Sequence, residues 1–155
     1  MNRIAVIPAR GGSKRIPDKN IRLFAGKPMI HHAIRCARES GLFARIIVST
    51  DSEKISSVAK EAGAEVPFLR SDGNADDHAP LAEAVVETLE RLGPSAASLE
   101  TVCCLVATSP LLQVKSLAAG LELMVSDQLD AVVSVQRFRS PILRAMKYDE
   151  EGYLR

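Results

Sequence analysis

Arg3-Ile-Ala-Val-Ile-Pro-Ala-Arg-Gly-Gly-Ser-Lys-Arg-Ile-Pro-Asp-Lys-Asn20 joins a β-rich apolar run to a long cationic loop. Arg3 to Ile7 reads as a strand that stops at Pro8, and what comes next is a glycine-containing polar stretch with no helical period. Moving outward, Pro28 to Ser40 carries Ile30, Ala33, Ile34 and Ala37 at helical spacing and ends at Gly41, a residue suited to a C-cap. Arg45 to Ser49 is a second strand, and Ser52 to Ala62 a second helix before a short strand from Glu65 to Leu69. Residues 70–80 are rich in Asp, Asn and Gly and read as a long loop, after which Leu81 to Leu92 forms a helix stopped by Gly93 and Pro94. Thr101 to Ala107 is almost wholly apolar, as a strand covered on both faces by helices would be. A helix from Val114 to Val125 and a strand from Ala131 to Gln136 follow. This alternation predicts a mostly parallel sheet with helices on both faces, a Rossmann-like three-layer α/β/α sandwich formed as one domain over residues 1–155.

Composition narrows the function. The chain has 155 residues, 46% hydrophobic and 25% charged, with a net charge of +1. That length buries one sizeable core, and the charge balance argues neither for a nucleic-acid partner nor for a membrane surface. No apolar run reaches the length of a membrane helix, and Met1 to Pro8 is too short for a secretory leader, so a cytoplasmic protein is expected. The three cysteines, Cys36, Cys103 and Cys104, have no CxxC spacing and are expected to be reduced structural thiols, the last two on opposite faces of a buried strand.

In a sheet of this kind ligands bind beyond the carboxyl ends of the strands, which makes the loop after Pro8 the first place to search. Between Arg10 and Lys27 there are six Lys or Arg residues and one acid, Asp18. Two adjacent glycines let the backbone approach a ligand and turn N–H groups toward it, and with Lys and Arg they form the chemistry of a polyphosphate site, best suited to a triphosphate. The loop matches neither Gly-x-x-x-x-Gly-Lys-Ser/Thr nor Gly-x-Gly-x-x-Gly, and Pro17 keeps it from opening directly into a helix, so a P-loop kinase and an NAD enzyme are disfavoured. A solvated loop serving solubility is the plainer reading; the loop's place at the end of the first strand argues against it.

Ile7-Pro-Ala-Arg-Gly-Gly-Ser-Lys-Arg-Ile-Pro-Asp-Lys-Asn-Ile21, Ala25-Gly-Lys-Pro-Met-Ile30, Val48-Ser-Thr-Asp51, Ala64-Glu-Val-Pro-Phe-Leu-Arg70, Ala75-Asp-Asp77 and Ala107-Thr-Ser-Pro-Leu111 together resemble the CMP-sialic acid synthetases, or acylneuraminate cytidylyltransferases. The likeness covers essentially the whole chain. Within that family, the Pro67-Phe-Leu-Arg70 segment, Cys103-Cys104 and Ser140 to Lys147 look most like the pseudaminic acid cytidylyltransferases. The resemblance implies a nucleotidyltransferase-type fold and transfer of CMP from CTP, carried with Mg²⁺, to the anomeric hydroxyl of an acidic nine-carbon sugar. It further implies that Arg10, Ser13, Lys14 and the amides of Gly11 and Gly12 hold phosphates, that Lys19 neutralises developing charge, that Asn20 binds the nucleoside, and that Arg70 and Asp77 lie near the nucleotide. Arg10, Lys14 and Lys19 are the expected catalytic residues, and a homodimer is the expected assembly.

Some of these residues have structural alternatives. Arg70 can close its loop by pairing with Asp72, and Asp77 can serve as the acid favoured at the start of the next helix. Asp51 can touch the nucleotide or cap the helix at Ser52, and the cap is the favoured reading. His31 and His32 read as ordinary helix residues and His78 as a loop residue. Two departures from the family pattern concern the sugar pocket and the metal: Val106 and Leu112 stand where sialic acid enzymes often carry Gln and Arg, and Thr108 stands where related octulosonate enzymes place a metal-binding Asp. No metal ligand is assigned. Arg144 to Arg155 reads as a strand, a turn and the start of a return strand, from which a further C-terminal portion, holding the family's metal-binding aspartates, is expected. Two other classes stay open, another sugar nucleotidyltransferase and a nucleotide-binding module without catalysis.

Overall fold

A computed structural model describes residues 2–13, 15–70, 81–137 and 150–151. β1 (Arg3–Pro8) lies at the centre of a parallel sheet, with β4 (Arg45–Ser49) on one side and β5 (Thr101–Cys104) on the other. The register pairs Ile4 with Arg45 through Pro8 with Ser49, and Arg3 with Thr101 through Val6 with Cys104. Ile4 to Pro8 are all buried, as a central strand with helices on both faces requires. Pro8 is tolerated because it is the last residue of the strand, where a missing N–H interrupts no further ladder.

The predicted strand from Glu65 to Leu69 runs along the free edge of β4 as two parallel bridges, Ile47 with Glu65 and Thr50 with Leu69. Pro67 lies between the bridges and has no N–H to donate, which accounts for the break. A small hairpin that periodicity did not reveal joins β2 (Leu23–Phe24) to β3 (Lys27–Pro28). Its turn residues Ala25 and Gly26 both have positive φ, 47° and 76°, as a two-residue hairpin turn requires.

Helices cover both faces. α1 (Met29–Ser40), α2 (Glu53–Glu61) and α4 (Val114–Ser126) lie on the face where Ala5, Ile7, Val48, Ile30, Ile34, Ile55 and Ala59 pack together, with Leu117 of α4 at its margin. α3 (Leu81–Leu92) covers the opposite face, bringing Val85, Leu89 and Leu92 against Ile4, Val6 and Ile47. Each fully buried Ile contributes about 1.5–3 kcal/mol of burial free energy, so the alternation of Ile4, Val6 with Ala5, Ile7 along β1 is what holds both helical layers to one strand. α1 ends at Gly41 in the left-handed conformation with its N–H on the Arg38 carbonyl, the C-cap read from the sequence.

Three expectations need correction. The strand expected from Ala131 to Gln136 is absent: residues 131–137 have no regular structure, and Val133 and Val135 are 78% and 91% exposed. A strand needs a hydrogen-bonded neighbour, and among the described residues no strand lies on the side of β5 away from β1. For the same reason β5 is shorter than the apolar run and only half-buried. Cys104 is exposed where a buried residue was expected, while Cys103 packs against the main core. The cap of α2 is Ser52, whose Oγ accepts from Ile55 N–H at 3.4 Å; Asp51 is not the cap, and its carboxylate is turned elsewhere. The hairpin expected at residues 144–155 lies outside the described residues, apart from a turn at Glu150 and Glu151.

Candidate active site

Because β1 and β4 are parallel and in register at Pro8 and Ser49, the segments that follow them leave the sheet at the same end. The Ala9 N–H donates to the Ser49 carbonyl at 2.9 Å, carrying the pairing one residue past the strands. β5 flanks β1 on the opposite side, so the chain reverses its direction of travel across the sheet at β1, and a crevice opens there. The segments that leave the sheet at this end are residues 9–13 after β1, Thr50 to Ser52 after β4, and Leu105 to Thr108 after β5, with Leu105 N–H bonded to the Val6 carbonyl at 2.9 Å.

The two glycines of the cationic loop have different jobs. The Gly11 N–H donates to Asp51 Oδ1 at 2.7 Å. A Cβ at residue 11 would sit 3.0 Å from the Ser52 Cβ, whereas one at Gly12 would meet nothing within 4 Å. Gly11 is therefore a close-packing residue pressed on the start of α2, and Gly12 is the open one. Ser13 N–H folds back to the Gly11 carbonyl at 2.9 Å. The base of the loop is tied by Asn20, buried at 6% exposure, whose Nδ2 donates to the Arg10 carbonyl at 2.9 Å and whose own carbonyl accepts from Ile30 N–H at 2.8 Å. Lys19 is exposed on a turn closed by bonds to the Ile16 and Asp18 carbonyls, and Asp18 reaches across to Lys54 at 2.6 Å.

Arg70 enters from the far edge of β4. It is buried at 8% exposure, with Nε on Ser49 Oγ at 3.2 Å and Nη2 on the Ser49 carbonyl at 2.7 Å. Burial lowers its pKa; the charges of Asp51 and Glu87 oppose that and the charge of Arg10 adds to it, so Arg70, Asp51 and Arg10 feel one another across the crevice. Arg70 stays a cation, since guanidinium loses its proton only far above neutral pH. Arg91 of α3 braces the same segment: Nη1 donates to the Leu69 carbonyl, its guanidinium lies 3.9 Å from the centre of the Phe68 ring, and it faces Glu87 at 3.5 Å.

Of the residues proposed from the sequence, Arg10 to Ser13 follow β1, with Gly11 on Asp51 and the Arg10 carbonyl on Asn20, Arg70 is bonded to Ser49 at the end of β4, and Lys19 is exposed. Lys14, Asp77, Asp72 and His78 lie outside the described residues. His31 and His32 are helix residues as expected. His32 is buried, its Nε2 2.8 Å from the Phe24 carbonyl and its ring edge-on to Phe24 at 5.5 Å, so it fastens the hairpin to α1. Burial, then the charge of Lys27, lowers the pKa of His31. Sequence reasoning favoured Asp51 as a helix cap over a nucleotide contact and passed over Ser49. The clue lay in strand pairing: two parallel neighbours place the residues after each strand side by side. Among the described residues no cluster of three or more His, Cys, Asp or Glu side chains is assembled to hold a metal, and no helix is long and apolar enough to cross a membrane.

A parallel sheet with a glycine-bearing cationic loop at its switch point defines a Rossmann-like α/β protein whose loop stands where such sheets bind ligands. The family model described as Cytidylyltransferase matches residues 4–141, and the chain belongs to that family. It is 41% identical over 152 residues to a pseudaminic acid cytidylyltransferase of Campylobacter jejuni subsp. jejuni serotype O:23/36 (strain 81-176), a match covering 98% of this chain and 66% of the relative. A CMP-N,N'-diacetyllegionaminic acid synthase of Legionella pneumophila subsp. pneumophila (strain Philadelphia 1) is 42% identical over 123 residues, 79% of this chain and 53% of that protein. The chain thus spans about two thirds of the length of the Campylobacter relative. Among solved structures, a CMP:2-keto-3-deoxy-manno-octonic acid synthetase complexed with CTP superposes with a TM-score of 0.70 at 24% identity, over 83% of this chain and 49% of that one, and establishes the likeness of fold.

Proposed function

We propose that the protein transfers CMP from CTP to the anomeric hydroxyl of an acidic nine-carbon sugar, with pseudaminic acid the favoured acceptor, and releases pyrophosphate. The observation that carries this reading is the loop Arg10 to Ser13, held at the switch point of the parallel sheet by Asp51 on the Gly11 N–H and Asn20 on the Arg10 carbonyl. Pseudaminic acid is favoured because a relative of that name is 41% identical over 98% of this chain, whereas an N-acylneuraminate relative covering 99% of it is 34% identical. In this reaction the sugar hydroxyl oxygen bonds to the α-phosphorus, the bond from that phosphorus to the β-phosphate oxygen breaks, pyrophosphate leaves with the electron pair, and the hydroxyl proton passes to solvent. The protein's share is positioning and charge neutralisation. Arg10, Ser13 and Lys14 with the open Gly12 amide hold the phosphates, Lys19 neutralises charge at the rim, and Asn20 sets the loop beside the nucleoside. Arg70 and Asp77 complete the nucleotide side.

Mg²⁺ belongs to this reading as the ion carried on the triphosphate. The described residues provide no cluster to hold it, and no step is assigned to a protein-bound metal. A cytoplasmic homodimer is the assembly we propose, which sizing chromatography with light scattering tests directly. For the reaction itself, pyrophosphate release from CTP and Mg²⁺ is measured with the intact gene product and pseudaminic, N,N'-diacetyllegionaminic or N-acetylneuraminic acid. Release that depends on CTP and pseudaminic acid is expected. Preference for the legionaminic acid moves the acceptor while keeping the reaction, a preference for GTP, UTP or dTTP refutes the CTP assignment, and CTP binding without release with any sugar indicates a non-catalytic module.

A further inference from the structure

We infer that Asp51 is a positioning residue, a latch whose carboxylate holds the Gly11 amide and so presets the shape of the nucleotide loop. This deepens the CTP reading and rests on it. The starting observation is an apparent conflict: a carboxylate stands among cations in a crevice read as a phosphate site, where it opposes anion binding by charge. Its geometry resolves the conflict. Asp51 Oδ1 accepts the Gly11 N–H at 2.7 Å, taking that donor away from any ligand, while Gly11 is pressed so closely on Ser52 that a methyl group there would lie 3.0 Å from the Ser52 Cβ. The same carboxylate lies in the field of buried Arg70, which is itself bonded to Ser49 at the end of β4. Loop, strand end and helix start are thereby joined at one side chain, and the Gly12 amide and the Arg10 side chain are presented from a fixed base. The cost of ordering the loop is met in the free protein, before CTP arrives.

The test reads two quantities. In nucleotide-free protein labelled with ¹⁵N-glycine, hydrogen exchange at the Gly11 amide is expected to be roughly tenfold or more faster in Asp51→Ala, since a charge-assisted bond to a carboxylate has been removed. In steady-state kinetics, Asp51→Ala is expected to raise the KM for CTP by roughly 10- to 100-fold, whereas Asp51→Asn, which keeps an acceptor oxygen at the same place, returns it to within about threefold of the wild type. Rescue by Asn is the outcome that a role confined to fold stability does not produce. Gly11→Ala attacks the contact from the other side if Asp51→Ala fails to fold: its Cβ would lie 3.0 Å from the Ser52 Cβ, so the loop must shift off Asp51, and the KM should rise in the same direction. An unchanged Gly11 amide in Asp51→Ala, or an unchanged KM in a variant whose wild type turns over CTP, overturns the latch. Asn as damaging as Ala, with a raised Mg²⁺ requirement, also overturns it and makes Asp51 a metal ligand. Failure of the wild type to bind CTP strikes the function reading alone, because the amide measurement decides the latch without nucleotide.

Discussion

Replacing Arg70 tests whether the crevice is built on a buried cation. The bonds of its guanidinium include one of 2.7 Å to the Ser49 carbonyl and one of 3.2 Å to Ser49 Oγ, at a place where Arg70 is 8% and Ser49 2% exposed. Removing the side chain does not orphan the carbonyl, because the Ala9 N–H still donates to it at 2.9 Å. Losing these two guanidinium bonds, the shorter at about 1.5–3 kcal/mol and the longer, less well-placed one at about 0.5–1.5 kcal/mol, accounts for about 3 kcal/mol of the cost of Arg70→Ala. In a chain of this length that corresponds to a fall in Tm of about 6–12 °C. Arg70→Lys should lose less than Arg70→Ala, since an ammonium keeps the charge but cannot reproduce the planar fork that reaches both Ser49 oxygens. Urea unfolding followed by circular dichroism supplies the free energies, with an unchanged m-value as the check that only stability has moved. If Arg70→Ala unfolds within roughly 0.5 kcal/mol of the wild type, the guanidinium is not holding the strand end, and the account of the crevice given above is wrong.

Other outcomes follow from the same geometry. Arg10→Ala should weaken CTP binding or turnover about a hundredfold, the effect of losing a phosphate contact of about 2–3 kcal/mol, and wild-type kinetics in that variant would remove Arg10 from the phosphate site. Gly41→Ala should cost about 1 kcal/mol in thermal unfolding purely through the backbone: φ is +63°, and a Cβ there would meet nothing within 4 Å. Burial pushes the Cys103 thiol up to about 11, with Cys104 adding to it, so iodoacetamide at neutral pH should leave Cys103 unmodified in the folded protein and alkylate it in urea, as intact mass will record. The sign for stability follows: the folded state keeps the Cys103 proton longer than the unfolded chain, so this contribution is full below pH 9.0, the ordinary thiol value, and is lost as the pH rises toward about 11. Stability that increases across that interval, after correction for the lysines and tyrosines, would contradict the burial of Cys103.

Much of the fold was legible because its units are local. The periodicity of Ile30, Ala33, Ile34 and Ala37, the Gly41 cap, and the β-rich runs at Arg3 to Ile7 and Arg45 to Ser49 each depend on a few consecutive residues. Two of the failures share one cause. Ala131 to Gln136 has the composition of a strand, yet strand formation requires a neighbour supplying donors and acceptors, and composition carries no record of one. Cys104 was misjudged in the same way, since burial on both faces depends on what lies beside β5. The Ala25-Gly26 hairpin escaped notice because two residues on each side are too few to show alternation.

The amino-acid sequence by itself determined the order of elements, the two helical layers, and the concentration of positive charge after the first strand, since chain chemistry at short range dictates each of them. Tertiary structure alone decided what the loop residues do. Residues Gly11 and Asp51, forty positions apart, meet because parallel pairing of β1 with β4 brings the two strand ends together. The Gly11 N–H is thereby spent on Asp51 and Gly12 is left open, although the two are adjacent and chemically identical. Arg70 likewise becomes a buried brace for Ser49 only once its segment lies along the edge of β4. A hydrogen bond is set by direction and distance in space, and those exist only after the sheet has formed.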